Sequence, residues 1–326
     1  VTLAPTPSAP TGERARRAHR PGPGRRGISR QTLAFWGFIA PMAIGLLVFV
    51  VVPIVWGLIL SVSNAQTTIT PDRFVGLDNY VAVLGDPAFR GSLVLVVVFA
   101  LVIVPTTLGF SLLLALLVNA APWGKGIFRT IFFIPTACSY VVASVVWKMS
   151  LFNGLPTGLA NSVLGFFGLE PIAWIGTTTP PWFWIVLVTV RLWLQAGFFM
   201  IIFTAGLQEI PRELYEAAQL DGIRGPLQEL RYITLPLLRN TTVSVMLLCL
   251  IGAFQAFDEF YNILGSAGGG GQGNMSAAMT PLVYLYKAAF ADQNYGLGSA
   301  GAFVLTALIL IITLIQGRVF GLNREK

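Results

Sequence analysis

Residues 93–118 read LVLVVVFALVIVPTTLGFSLLLALLV, a run with no charged side chain. Wound as a helix at 1.5 Å per residue it would be ~39 Å long, enough to cross the ~30 Å hydrocarbon core of a bilayer. A helix apolar on every side has no polar face to turn toward water, which places it in lipid or deep in a large bundle. Similar blocks recur at about 35–62, 127–147, 182–207, 241–264 and 298–320. Across the 326 residues, 55% are hydrophobic and only 11% charged, against roughly a quarter charged in soluble domains. These numbers exclude a soluble globular protein and predict an all-α, polytopic membrane protein of six transmembrane helices.

The charges orient it. Assigned alternately to two sides, the connecting segments 1–34, 119–129, 208–240 and 318–326 carry 16 of the 21 Lys and Arg. The other side holds Arg73, Arg90, Lys148 and Lys287, and Arg191 stands inside the fourth span. By the positive-inside rule both termini are cytoplasmic, and the +7 net charge needs no nucleic-acid partner. Residues 1–34 combine Pro, Gly and seven arginines with little to bury, so they read as a disordered basic cytoplasmic tail that touches anionic lipid, with the membrane domain at 35–326. The apolar stretch that follows is too long for a cleaved signal peptide. Cys138 and Cys249 both lie in apolar blocks, too few for a disulfide scaffold or a zinc site.

The cytoplasmic segment 208–240 is too long to be a mere connector. Pro211 suits a first helical turn and Gly222 a left-handed stop, with Leu214, Ala217, Ala218 and Asp221 recurring at helical spacing between them. Gly225-Pro226 restarts a second helix that ends near Leu235-Pro236. Two adjacent alanines leave a smooth surface for a groove on another protein, whereas Glu209, Glu213, Glu216 and Glu229 would face anionic lipid badly.

The run from Ile210 to Gly222, IPRELYEAAQLDG, closed by Ile233-Thr234-Leu235-Pro236, resembles the EAA loop of permease subunits in binding-protein-dependent ABC importers. Other stretches resemble the carbohydrate, maltose-type branch: Gly76-Leu77-Asp78-Asn79-Tyr80, Ala205-Gly206-Leu207-Gln208, Phe257-Asp258, Leu282 to Phe290, and Tyr295 to Ala300. The resemblance covers about 35–320 and implies the type I importer permease fold, one half of a translocation pathway. It implies that Glu213, Glu216, Ala217, Ala218, Leu220, Asp221 and Gly222 couple the chain to a cytoplasmic ATPase whose closure switches access across the membrane. The implied partners are a second, different permease, two ATP-binding subunits and an extracytoplasmic solute-binding protein, in a bacterial cytoplasmic membrane. Ten residues separate Gly222 from Ile233, one more than the family pattern; the surplus is expected in the turn 223–226. The large outer insert of the maltose prototype is absent.

ATP and Mg belong on the partner. A phosphate-cradling loop needs Gly-x-x-x-x-Gly-Lys-Ser/Thr, and the pair Gly124-Lys125 is preceded at the required place by Asn119 and followed by Gly126. The chain therefore carries no catalytic, cofactor or metal site. Its solute pathway is sought among costly polar groups in the spans: Arg191, Asp258 and Glu259, with Trp193, Gln195, Phe254, Gln255, Phe257, Tyr261 and Asn262 nearby. Amides and carboxylates suit sugar hydroxyls, and aromatic rings suit the C–H faces of a pyranose. Arg191 can alternatively pair with an acid, and the ~100° between successive helical residues lets Asp258 face it while Glu259 faces the lumen. The Gly-rich stretch 265–273 reads as a flexible outer loop beneath a docking protein.

Other classes fit less well. A gradient-driven secondary transporter wants a carboxylate deep in the membrane and inverted repeats, and neither is evident. A membrane enzyme wants a nucleophile or metal constellation, yet the sole histidine is His19 in the tail. Within importers, a glycerophosphodiester or polyol phosphate would want more cations than Arg191.

Overall fold

The uncharged run 93–118 lies inside one helix, Pro87–Ala120, in a computed structural model that describes residues 30–265 and 278–320. The basic tail, except for its last residues, and most of the Gly-rich outer loop lie outside the described residues. By internal packing the chain divides into two units, 1–55 and 56–326. The described part of the first is helical throughout: α1 (Arg30–Leu46), a π-turn (Leu47–Val51) and the start of α2 (Val52–Ser61).

In the second unit a two-stranded antiparallel hairpin, β1 (Ser63–Asn64) and β2 (Arg73–Phe74), leads to α3 (Asp78–Gly85). Asn79 donates its amide to the carbonyls of Ser61 and Ser63, and Ser61 shares a hydrogen bond with the Tyr80 hydroxyl, so the Gly76–Tyr80 motif caps the end of α2. Then follow α4 (Pro87–Ala120), α5 (Lys125–Phe133), α6 (Tyr140–Val146), α7 (Leu159–Phe166), α8 (Phe183–Gln208) and α9 (Arg212–Leu220). Asp86 caps α4 by accepting from the Ala88 N–H. The rest is α10 (Pro226–Glu229), α11 (Leu235–Leu237), α12 (Arg239–Phe254), α13 (Asp258–Leu264), α14 (Pro281–Tyr286) and α15 (Tyr295–Phe320).

Among the described residues, four helices are long and apolar enough to cross a bilayer: Ala34–Ser61, Pro87–Ala120, Phe183–Gln208 and Tyr295–Val319. The other two expected spans are not continuous. Lys125–Ala137 and Tyr140–Leu151 meet at 93°, where Pro135 sits in a 3-10 turn that a straight helix cannot continue through. The block 241–264 is interrupted after Phe254, and α13 starts afresh at Asp258. The core lies where α8 packs against α4 and both interrupted spans, with Phe99, Leu187, Leu194, Met200, Phe203 and Phe260 fully buried.

Candidate functional site

At the second interruption the backbone leaves its helical ladder. The Ala256 N–H turns back to the Ala253 carbonyl at 3.2 Å, so the Gly252 carbonyl loses its intrahelical donor. Arg191 on α8 supplies the replacement, donating one guanidinium N–H to the Gly252 carbonyl and another to the Glu259 carboxylate in the first turn of α13. The guanidinium also stands over the rings of Phe99 and Tyr140, 5.4 and 5.9 Å from their centres. Arg191 is 4% exposed and Glu259 1%, so both are buried inside the chain. The expectation that Asp258 faces Arg191 is therefore reversed: Glu259 takes the arginine and Asp258 remains half-buried at the surface of the break. The helical phase of ~100° per residue explains why one of the two must point away.

The ten candidate solute residues divide accordingly. Arg191, Glu259 and Phe254 are interior, and Gln195 is half-buried beside Gly252. Trp193 is exposed, and its ring packs 5.0 Å from that of Trp147. Gln255 is exposed, while Phe257, Asp258, Tyr261 and Asn262 are half-buried. Asn262 donates its amide to the Asp258 carbonyl at 2.7 Å.

The accessible group is larger than expected. Phe257 stacks on Tyr261 at 5.2 Å, and both meet Tyr286, which packs on Phe290 at 5.0 Å. Phe257, Tyr286 and Phe290 line an open hollow of about 550 Å³ whose other wall is Tyr295, Ser299 and Ala302 of α15. Tyr286 and Phe290 lie in one of the quoted sequence landmarks, and their spacing of four residues was the available signal for a shared helix face.

On the opposite side of the chain, α9 runs from Pro211, which takes the N-cap position, to a stop at Gly222 with φ +93°. The Ile223 N–H bonds the Ala218 carbonyl and the Gly222 N–H bonds that of Gln219, the paired pattern of a Schellman cap. The two alanines do not share one outward surface. Ala218 is 9% exposed and packs into the chain, while Ala217, Glu213, Glu216, Asp221 and Leu220 face outward, Leu220 at 90% exposure. Tyr215 shares a hydrogen bond of 3.1 Å with Thr234, tying α9 to the returning helix. That helix contains a π-turn, Leu230–Thr234, and since such a turn holds one residue more than an α-turn, the surplus residue has a place inside the helix as well as at Gly225. At the base, a Cβ on Gly206 of α8 would come within 2.6 Å of Thr241 and 3.0 Å of Leu238, so the two stems of the hairpin touch almost backbone to side chain.

Residues 42–320 match the family model described as binding-protein-dependent transport system inner membrane component. The chain is 32% identical over 287 residues to the trehalose/maltose transport system permease protein MalF of Thermococcus litoralis, covering 88% of this chain and 93% of that one. It is 33% identical to the arabinooligosaccharides transport system permease protein AraP of Bacillus subtilis, covering 87% of each. Among solved structures it is similar in fold, with TM-score 0.76 and 22% identity, to a chain of a bacterial ABC transporter involved in the import of alginate, over 90% of this chain and 97% of that chain.

Proposed function

We infer cargo and mechanism from one premise: this chain belongs to the family of binding-protein-dependent transport system inner membrane components. It is a multi-pass inner-membrane permease, a non-catalytic subunit of an ABC transporter that works with a binding protein, and ATP hydrolysis belongs to a separate subunit. The cargo is a sugar or short oligosaccharide. Relatives named for trehalose/maltose and for arabinooligosaccharides support this, and the observation that carries it here is the aromatic face at the broken fifth span. Phe257, Tyr261 and Tyr286 offer rings to the C–H faces of a sugar, and Gln255 and Asp258 beside them offer hydroxyl partners. The pairing of Arg191 with Glu259 neutralises that arginine, and Lys148 is turned to the carbonyls of Asn262 and Gly265, so a sugar is the reading we keep over a phosphate-bearing cargo.

The partners in this reading are a second permease, two ATP-binding subunits and an extracytoplasmic solute-binding protein, with both termini in the cytoplasm of a bacterial cell. The outward residues of α9 (Glu213, Glu216, Ala217, Leu220, Asp221) and the cap at Gly222 dock on the ATPase, while Ala218 keeps α9 seated on the chain. ATPase closure moves α9, the Tyr215–Thr234 contact carries the displacement to the returning helix, and the tight packing at Gly206 passes it to α8 and α12. Those two helices hold Arg191 and the Gly252 carbonyl, so movement at the cytoplasmic end reaches the break directly. Because access alternates, the break is exposed to each side in turn.

The test is uptake by the complete transporter reconstituted in vesicles. Phe257→Ala, Tyr261→Ala and Asp258→Asn are expected to insert normally and to cut uptake tenfold or more. Wild-type uptake in all three would remove the solute pathway from this face.

A further inference from the structure

On α12, residues Arg239, Val243, Met246, Leu250 and Phe254 recur every three or four positions and form one continuous face. Its upper part lines an apolar slot of about 520 Å³ between α4 and α15, walled by Val97, Val104 and Leu108 on one side and Ile312 and Ile315 on the other. Met246 also lines a second hollow of about 410 Å³, whose mouth holds Arg231 and Arg239. The two hollows share Met246 as a wall and follow one another along this face as a groove, the first apolar and the second carrying the two arginines. Gln316 of α15 stands in the apolar part, 7% exposed, with neither amide atom partnered. A buried amide left so is costly, and a polar group entering the groove there would relieve that cost.

The depth of the groove identifies its level in the membrane. Gln316 lies 21 residues beyond Tyr295, the outer end of α15, which at 1.5 Å per residue is ~31 Å, a full hydrocarbon thickness. The amide therefore sits where chain meets headgroup on the cytoplasmic side. Arg231 and Arg239 belong to the segment 208–240 assigned to that same cytoplasmic side, whose leaflet carries anionic lipid.

We propose that this groove binds an anionic phospholipid of the cytoplasmic leaflet, with an acyl chain along α12, an ester group at Gln316 and the phosphate between Arg231 and Arg239. The site rests on the inside orientation of segments 208–240 and 318–326 inferred above. Since Arg231 belongs to the helix that returns from the coupling segment, lipid charge would steady the stem through which α9 acts.

The full-length chain in mild detergent, examined by native mass spectrometry with added phosphatidylglycerol, phosphatidylcholine or inorganic phosphate, tests it. Phosphatidylglycerol should be retained about tenfold better than phosphatidylcholine. The double variant Arg231→Gln/Arg239→Gln should abolish that preference, and Leu250→Trp should displace both lipids. Inorganic phosphate should neither bind detectably nor compete. Equal retention of the two lipids by the unaltered chain, phosphatidylglycerol retention unchanged in the double variant, or competition by phosphate would overturn the site. So would an efficient cross-link from Leu250→Cys to another chain or to residues 34–55, which would show protein in the groove. Orientation is read separately: Arg231→Cys, with Cys138 and Cys249 replaced, should react with an impermeant maleimide only in inside-out vesicles. Reaction from the outside would overturn the leaflet and the orientation together, while correct labelling without lipid preference overturns the lipid site alone.

Discussion

Two interrupted spans pack against the same helix, and they are held by opposite means. In 125–151 the bend lies against α8 by close fit: a Cβ on Gly197 would sit 1.8 Å from the Phe132 carbonyl oxygen, and Thr136 donates to the Leu194 carbonyl at 3.0 Å. In 239–264 the same helix reaches out with Arg191, which satisfies the Gly252 carbonyl and is neutralised by Glu259. The first interruption keeps a local bond, Cys138 N–H to the Pro135 carbonyl at 3.0 Å, and so demands only space. The second releases a carbonyl in a medium that offers no water, and it demands a donor. The second is also the one that opens an aromatic face beside Asp258 and Gln255, so the charge pair lies behind the candidate solute face and supports it.

The largest effect is expected where fit is everything. Gly197→Ala places a Cβ into backbone and should cost about 3 kcal/mol or more, since overpacking that meets main chain cannot relax by a rotamer change. Folded yield after detergent extraction measures it, and a normal yield with an unchanged melting temperature would contradict the close approach. Of comparable size, Arg191→Gln or Glu259→Gln leaves one uncompensated buried charge, and each should lose about 3–5 kcal/mol of stability. A smaller effect separates the two alanines of α9. Ala218→Trp should destabilise by about 1–3 kcal/mol, whereas Ala217→Trp should keep the melting temperature and lose co-purification with the ATPase. The reverse pattern would turn the docking face around.

The smallest prediction concerns Asp86 at the start of α4. Its carboxyl is held below the ordinary 3.8, first by the hydrogen bond from the Tyr284 hydroxyl at 2.5 Å, with burial opposing the shift. A lowered carboxylate pKa contributes stability above the ordinary value and loses it as the pH falls through the folded one. Tyr284→Phe should therefore lower stability by about 1 kcal/mol or less near neutrality, with the difference closing only below about pH 4. A difference of the same size above and below the titration of Asp86 would show that the tyrosine acts by packing and not through the carboxylate.

Much of this was legible because a few residue types admit only one environment. An uncharged 93–118 has nowhere to be but a membrane or a core, and Gly222 at the end of an amphipathic run announced the left-handed stop observed there. That Arg191 would meet an acid was foreseeable from the cost of a lone charge in lipid. Which acid was not, because the choice between Asp258 and Glu259 depends on where α13 restarts, and no proline or glycine marks the break at 255–257. The meeting of Tyr286 with Phe257 was not legible, since a contact across 29 residues leaves no local periodicity. The inward turn of Ala218 was equally invisible: alanine fits a buried or an exposed position, and its neighbour Ala217 is chemically identical.

The measurement that bears most directly on the central claim is a double-mutant cycle between Arg191 and Glu259, read as melting temperature and as sugar uptake in the reconstituted transporter. If the pair is an internal clamp behind the solute face, Arg191→Met and Glu259→Leu should each destabilise strongly, and the double variant should recover most of the stability and much of the uptake, because it removes both charges together. If instead both single variants fold like the parent, lose uptake, and the double variant rescues nothing, these side chains meet the solute themselves and the clamp does not exist.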